Sequence, residues 1–207
     1  VCGKDAGGAA VLFLVTQSGA VSMLLAAGPG GAPFGLTNFV AIAPDDSIVL
    51  SDSMGNRVFR ADADGANVAL VTDAITYPNG LAFSPDGATL FVASWDGEAV
   101  HALAFDRASG TYGAPTPSIE GVANVDGVVA ASDDTLVLVT SSRGILAATP
   151  GSDEPVTLAP TRAITLPANA IFGDEAFGVT DLFVAALGQP EVFRVRTALR
   201  GVALPVR

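Results

Sequence analysis

Four residues of this 207-residue chain combine an acceptor oxygen with a near-regular interval: Asn38, Asn79, Asp126 and Asn169, which lie 41, 47 and 43 positions apart. Amide and carboxylate oxygens are hard donors. Brought to one point they suit a hard divalent cation, because Ca²⁺ takes about six to eight oxygen ligands and water completes what side chains omit. Taken one at a time, each has a plainer reading as an Asx side chain that caps its own turn. Asp126 is the only carboxylate of the four. No Cys/His cluster offers the ligands of a structural zinc site.

The elements that must position these residues repeat with them. The segments are "TNFVAIAPDDSIVLSD" from Thr37, "PNGLAFSPDGATLFVAS" from Pro78, "VDGVVAASDDTLVLVTS" from Val125 and "ANAIFGDEAFGVTDLFVAA" from Ala168. Each has a polar opener, a short apolar run, an acidic or Gly-bearing turn and a second apolar run. A period of about 40–45 residues with paired strands marks the blades of an all-β propeller. Blades radiate from an axis, so residues that open the innermost strands should converge there as a ring of oxygen donors. In the first full unit the pattern predicts strands at about 39–43, 47–51, 57–61 and 67–71. The later units run from about 80 to 118, 126 to 159 and 169 to 206. "AAVLFLVTQSGAVSMLLAAG", ahead of them, reads as a hairpin from the outer half of another blade. The expectation is one N-terminally incomplete propeller domain, 1–207, with about four to five blades present and the first blade lacking. Recurrent β-branched residues, Gly and Pro leave no long helical face.

Other reactive side chains lack the company that chemistry requires. His101 is the only histidine, and a catalytic His needs a nucleophile and an orienting carboxylate. Ser18, Ser53 and Ser141 fall in turns with no nucleophile-elbow sequence. "GPGGAPFG" at 28–35 has the glycines of a phosphate loop but neither its Lys-Ser/Thr nor a following helix, and reads as a connection between blades. Trp95 and Arg143 follow the second strands of adjacent units and are expected at one rim, as ligand contacts or as rim packing.

Charge and composition narrow the partners. A net charge of −11 opposes nucleic-acid and anionic-membrane binding, both of which need a basic face. Most of the acid sits in turns such as Asp45-Asp46 and Asp133-Asp134. No run of about 18 apolar residues predicts a membrane span, and 9–27 lacks the basic lead of a signal peptide. Cys2 is the only cysteine, so no internal disulfide forms. With "GKDAGG" after it, Cys2 reads as a lipid-bearing residue on a tether or as an ordinary strand cysteine. The expected compartment is the cytoplasm, with anchoring or secretion through Cys2 as the alternative.

"YPNGLAFSPDGATLFVASWDGEAVHALAFD" resembles the regucalcin/gluconolactonase family, six-bladed propellers that hydrolyse lactones with a divalent metal. "VDGVVAASDDTLVLVT" is similar to that family's Pro-Asp-Gly blade, with Val125 for Pro, and the segment from Leu166 to Pro205 resembles its last blade. The resemblance implies that Asn79 and Asp126 ligate the metal (Ca²⁺, or alternatively Zn²⁺, Mg²⁺ or Mn²⁺) and that Asn38 lies on the substrate side. The family's further ligand is a first-blade Glu with no counterpart here, and Phe39 stands where an Asp commonly follows Asn38. The implied function is lactone hydrolysis on a small lactone or sugar-acid substrate, with Asp126 as ligand and general base. The alternatives are a non-catalytic binding module and a strictosidine-synthase-like propeller, for which Glu175 and Glu191 would be the late-blade carboxylates.

Overall fold

A computed structural model describes residues 1–152 and 154–202. Its nineteen strands form five antiparallel sheets in chain order. The first holds β1 (Cys2–Lys4), β2 (Ala10–Val15) and β3 (Val21–Leu25). The second holds β4 (Thr37–Ile42), β5 (Ile48–Asp52), β6 (Arg57–Ala61) and β7 (Ala69–Thr72). In the third, β8 (Pro78–Phe83), β9 (Thr89–Ser94) and β10 (Ala99–Asp106) are followed by β11 (Thr111–Tyr112) and β12 (Thr116–Glu120), which both pair with β10. The fourth is β13 (Val125–Ala130), β14 (Leu136–Thr140), β15 (Gly144–Ala148) and β16 (Val156–Ala159). The fifth is β17 (Pro167–Phe172), β18 (Asp181–Ala186) and β19 (Val192–Arg196). The helical content of the described residues is one short 3₁₀ turn, Pro29–Gly31, within the glycine-rich connection. The all-β propeller expected from the repeats is the observed fold.

Period-2 alternation builds the core between sheets, because successive side chains of a strand leave by opposite faces. In β5, Ile48 and Leu50 join Leu12, Leu25 and Phe59 between the first and second sheets, while Val49 joins Leu81, Leu90 and Leu103 between the second and third. In β14, Leu136 and Leu138 pack with Val100 and Ile119 toward the third sheet, while Val137 and Val139 pack with Leu182 and Val184 toward the fifth. Four apolar clusters thus fill the four spaces between consecutive sheets. Among the described residues no such cluster joins the fifth sheet to the first. Leu14, Val21 and Met23 on one side and Ile171, Leu187 and Val192 on the other are exposed.

The acidic turns do local work. Asp45, Asp86 and Asp133 each accept the backbone N–H two residues on, from Ser47, Ala88 and Thr135. Left-handed Asp46, Gly87 and Asp134 complete those hairpins.

One expectation at the N-terminus changes. The first unit is a three-stranded sheet rather than a hairpin, because Cys2–Lys4 pairs with Leu12–Ala10. Cys2 is accordingly a half-buried strand residue, its thiol pushed up to about 11 chiefly by burial. At the other end, positions 203–206 of the expected fourth unit lie outside the described residues. No helix of the described residues is long and apolar enough to cross a membrane.

Candidate active site at the propeller axis

The innermost strands β4, β8, β13 and β17 begin in one common way. Thr37, Pro78, Val125 and Pro167 stand opposite the last residues of the neighbouring strands, Asp52, Ser94, Thr140 and Ala186. The pairing then slips by one residue in each of these four sheets, and it resumes at Val40 opposite Leu50, Leu81 opposite Val92, Gly127 opposite Val139 and Asn169 opposite Ala185. A bulge re-aims a side chain that a regular ladder would fix above or below the sheet. The residue directly after the strand opener occupies the bulge: Asn38, Asn79, Asp126 and, in the fifth sheet, Ala168.

This register corrects one member of the expected ring. Asn169 lies one position further on, where the other strands carry Phe39, Gly80 and Gly127. Its Oδ1 accepts the Ala170 N–H at 2.8 Å, a bond within its own strand. Matching by residue type aligned Asn169 with Asn79. Counting from the openers Pro78 and Pro167 would have placed Ala168 there instead.

Two glycines set the distance between neighbouring inner strands. A Cβ on Gly80 would lie 2.6 Å from Val128 N and 2.8 Å from Asp126 O, and one on Gly127 would lie 2.9 Å from Asn169 Oδ1 and 3.1 Å from Ala168 O. The backbones of β8 and β13 therefore meet with no side chain between them. That contact brings Asn79 and Asp126 together from adjacent sheets, with the Asn79 side chain near enough to favour the ionised Asp126 carboxylate. Asn79 is buried, at 3% exposure. Burial pushes the Asp126 carboxyl up to about 6, and the nearby Asn79 amide only partly opposes it. No cationic side chain contributes to that balance.

Asn38 is held from the adjoining strand. Its Nδ2 donates to Ser53 Oγ at 2.9 Å, and Ser53 Oγ donates to the carbonyl of Pro78, the residue before Asn79, at 2.6 Å. Around it, Ser51 Oγ accepts the Phe39 N–H at 3.0 Å, and Asp52 Oδ1 accepts the Gly35 and Leu36 N–H groups at 2.8 and 2.7 Å. Asp52 is fully buried and paired with Arg57 at 2.6 Å. Sequence reasoning set Ser53 aside as a turn serine, since its partners lie 15 and 25 residues away and leave no local signal.

Below the ring the axis is apolar. A cavity of about 790 Å³ runs between the inner strands and is lined by Phe39, Ile42, Leu81, Phe83, Val128 and Phe172 among others. Ser84, Asp86 and Arg107 also line it, at the ends of the inner strands away from Asn38, Asn79 and Asp126. The other candidates sit elsewhere. His101 is in β10, two strands out from β8, with its imidazole held below the ordinary range by burial. Arg143 is an exposed turn residue, while Trp95 is a rim residue whose backbone bridges Tyr77 and Asn124. Glu175 and Glu191 are exposed and outside the inner strands, so the strictosidine-synthase-like alternative has no axial carboxylate in them.

A model of the SMP-30/gluconolactonase/LRE-like region matches residues 27–187. The chain belongs to that family. Its propeller resembles a gluconolactonase from Xanthomonas campestris, at 21% identity over 96% of this chain and 71% of that one, with a TM-score of 0.74. It resembles the calcium-binding protein regucalcin from Agrobacterium tumefaciens at 15% identity over 97% and 76%, with a TM-score of 0.70. A virginiamycin B lyase from Staphylococcus aureus shares the fold more distantly, at 13% identity over 96% and 70%, with a TM-score of 0.58. No curated protein sequence matches the chain. Since the same propeller serves family members and a lyase alike, the reaction has to be argued from the axial residues.

Proposed function

We propose that this member of the SMP-30/gluconolactonase/LRE-like family is a metal-dependent lactone hydrolase that works at Asn79 and Asp126. The observation that carries this reading is the Asp126 carboxyl, partly buried beside Asn79, pushed up to about 6 and balanced by no cationic side chain. A carboxylate so placed is stabilised by a cation that the protein itself does not supply. The nearby donors are all oxygens, which fits Ca²⁺ first and Mg²⁺, Mn²⁺ or Zn²⁺ as alternatives. Asn79 and Asp126 would hold the ion, which when bound supplies Lewis-acid polarisation of the lactone carbonyl.

Asp126 is also the general base. It takes a proton from the attacking water as the new O–C bond forms at the carbonyl carbon. When the ring C–O bond breaks, the same proton passes to the departing alkoxide, leaving an open hydroxy acid. Without the cation, burial pushes that carboxyl up to about 6, and a bound cation would favour its ionised form, the form that accepts the proton. Asn38 stands beside this pair as the substrate-binding group, with its Oδ1 unused by the described protein donors and its Nδ2 tied to Ser53.

The test is hydrolysis of an aldonolactone followed by pH-stat, with added Ca²⁺ or with chelator, for the wild type and Asp126→Asn. The expected result is activity lost to chelator and lowered at least about 100-fold by the substitution. Activity indifferent to both would overturn the mechanism and leave a binding module in its place.

A further inference from the structure

Ser53 has counterparts in the other sheets, and they show what its hydroxyl adds. Ser53, Trp95, Ser141 and Leu187 each directly follow the strand that pairs with the innermost one. Each donates its backbone N–H to the residue before a strand opener: Leu36, Tyr77, Asn124 and Leu166. That latch is a backbone device repeated in four sheets, and it works with Trp or Leu as well as with Ser. In the second sheet alone among the described residues, the side chain at this position also makes hydrogen bonds. It spans from Asn38 of its own sheet to the carbonyl before Asn79 of the next. Ser53 is fully buried.

Donor bookkeeping then fixes the direction of the Asn38 amide. The Pro78 carbonyl can only accept. A serine hydroxyl carries one hydrogen, and at 2.6 Å that hydrogen lies between Ser53 Oγ and Pro78 O. Toward Asn38, Ser53 Oγ can therefore only accept, and Asn38 must offer its NH₂ group. Among the described residues the Oδ1 of Asn38 is left as an acceptor with no protein donor. Its residue is half-exposed at the bulge position shared with Asn79 and Asp126.

We propose that Ser53 is a positioning residue that locks Asn38 as a hydrogen-bond acceptor, so that the site favours lactones carrying a hydroxyl donor. The specificity part of this rests on the lactonase reading above, whereas the amide orientation does not. A site that offers an acceptor to a substrate hydroxyl discriminates against the analogue that lacks it, because the acceptor is then left unpaired. Without the Ser53 hydroxyl the Asn38 amide can rotate by half a turn and present NH₂ instead.

Two readouts test the proposal. The first is the Asn38 side-chain amide in ¹H–¹⁵N spectra, assigned by its loss in Asn38→Ala. It is expected as a distinct pair in the wild type, collapsed to solvent-like shifts in S53A, and kept in S53T and in S141A. The second is the ratio of kcat/KM for a polyhydroxylated aldonolactone over an unsubstituted lactone of the same ring size. S53A is expected to lower that ratio about tenfold through the KM of the hydroxylated substrate, with kcat changed less than about twofold and S53T close to wild type. An Asn38 resonance unchanged in S53A overturns the positioning role. A shifted resonance with an unchanged ratio overturns the specificity role. If S53A does not fold, S53C carries the comparison, since it is of similar size and a much weaker donor. If the wild type hydrolyses no lactone, the reaction proposed above fails and the amide resonance alone decides the orientation.

Discussion

Replacing Gly80 by Ala tests the claim that bare backbone contact between β8 and β13 assembles the site. The added Cβ would sit 2.6 Å from Val128 N, 2.8 Å from Asp126 O and 2.8 Å from Gly127 Cα, against an ordinary contact of 3.4–4 Å. All three obstacles are backbone, so no rotamer change relieves them. The strands must part by about 0.8 Å, judged from the nearest contact. Overpacking of this kind costs about 1–3 kcal/mol, and it moves Asp126 itself away from Asn79. A displacement approaching 1 Å at reacting groups costs about 100-fold in rate. Urea melts, Ca²⁺ titration and aldonolactone turnover on G80A should therefore show a folded but weakened protein. Cation affinity and kcat/KM should fall much further than stability alone would explain. Gly113→Ala is the control, since its Cβ would find Ala104 Cβ at an ordinary 3.5 Å, and its stability should stay within about 0.5 kcal/mol of wild type. A G80A protein with unchanged melting, cation affinity and turnover would refute the reasoning.

Three further outcomes are expected. Because the Asp126 carboxyl is raised from 3.8 to about 6 on folding, its contribution to stability is full below pH 4 and lost as pH rises through 6. Burial of that charge corresponds to about 3 kcal/mol at full strength, or about 1–2 kcal/mol for a partly exposed group. In chelator at pH 7, Asp126→Asn should then melt higher than wild type by that margin, with the difference gone near pH 4 in parallel thermal scans. Ala168→Asp places a carboxylate at the fourth bulge position and should tighten Ca²⁺ binding at least about tenfold by calorimetry, whereas Asn169→Ala should change it less than twofold. Asp52→Ala strands the half-buried Arg57 and three N–H groups, of Gly35, Leu36 and Gly55, and should cost about 3 kcal/mol or more in urea melts.

Sequence carried the fold well because a blade is local. Polar opener, alternating strand and Asx turn all lie within about 17 residues, as in Thr37–Ser53, and their periodicity survives reading one residue at a time. The shared position of Asn38, Asn79 and Asp126 was legible for the same reason, since each directly follows the first residue of its strand. Asn169 misled because residue type was matched without the bulge register, which depends on how β17 pairs with β18. The glycines were visible as Asn-Gly and Asp-Gly, but their purpose was not. Nothing in "PNGL" says that another strand's backbone passes 2.6 Å from where a side chain would be. Ser53 was invisible in principle, because its two bonds reach across sheets to Asn38 and Pro78. The elevated Asp126 carboxyl likewise arises from burial and from the absence of a cation beside it, both properties of the assembled axis.

The most direct measurement is anomalous scattering from crystals grown with Mn²⁺, collected for the wild type and Asp126→Asn. The account expects one peak at the axis, about 2.0–2.6 Å from side-chain oxygens of both Asn79 and Asp126. That peak should vanish in the Asn variant while the propeller stays unchanged. A wild-type map with no peak there, or a peak that persists in Asp126→Asn, would contradict the claim that these two residues hold the catalytic cation.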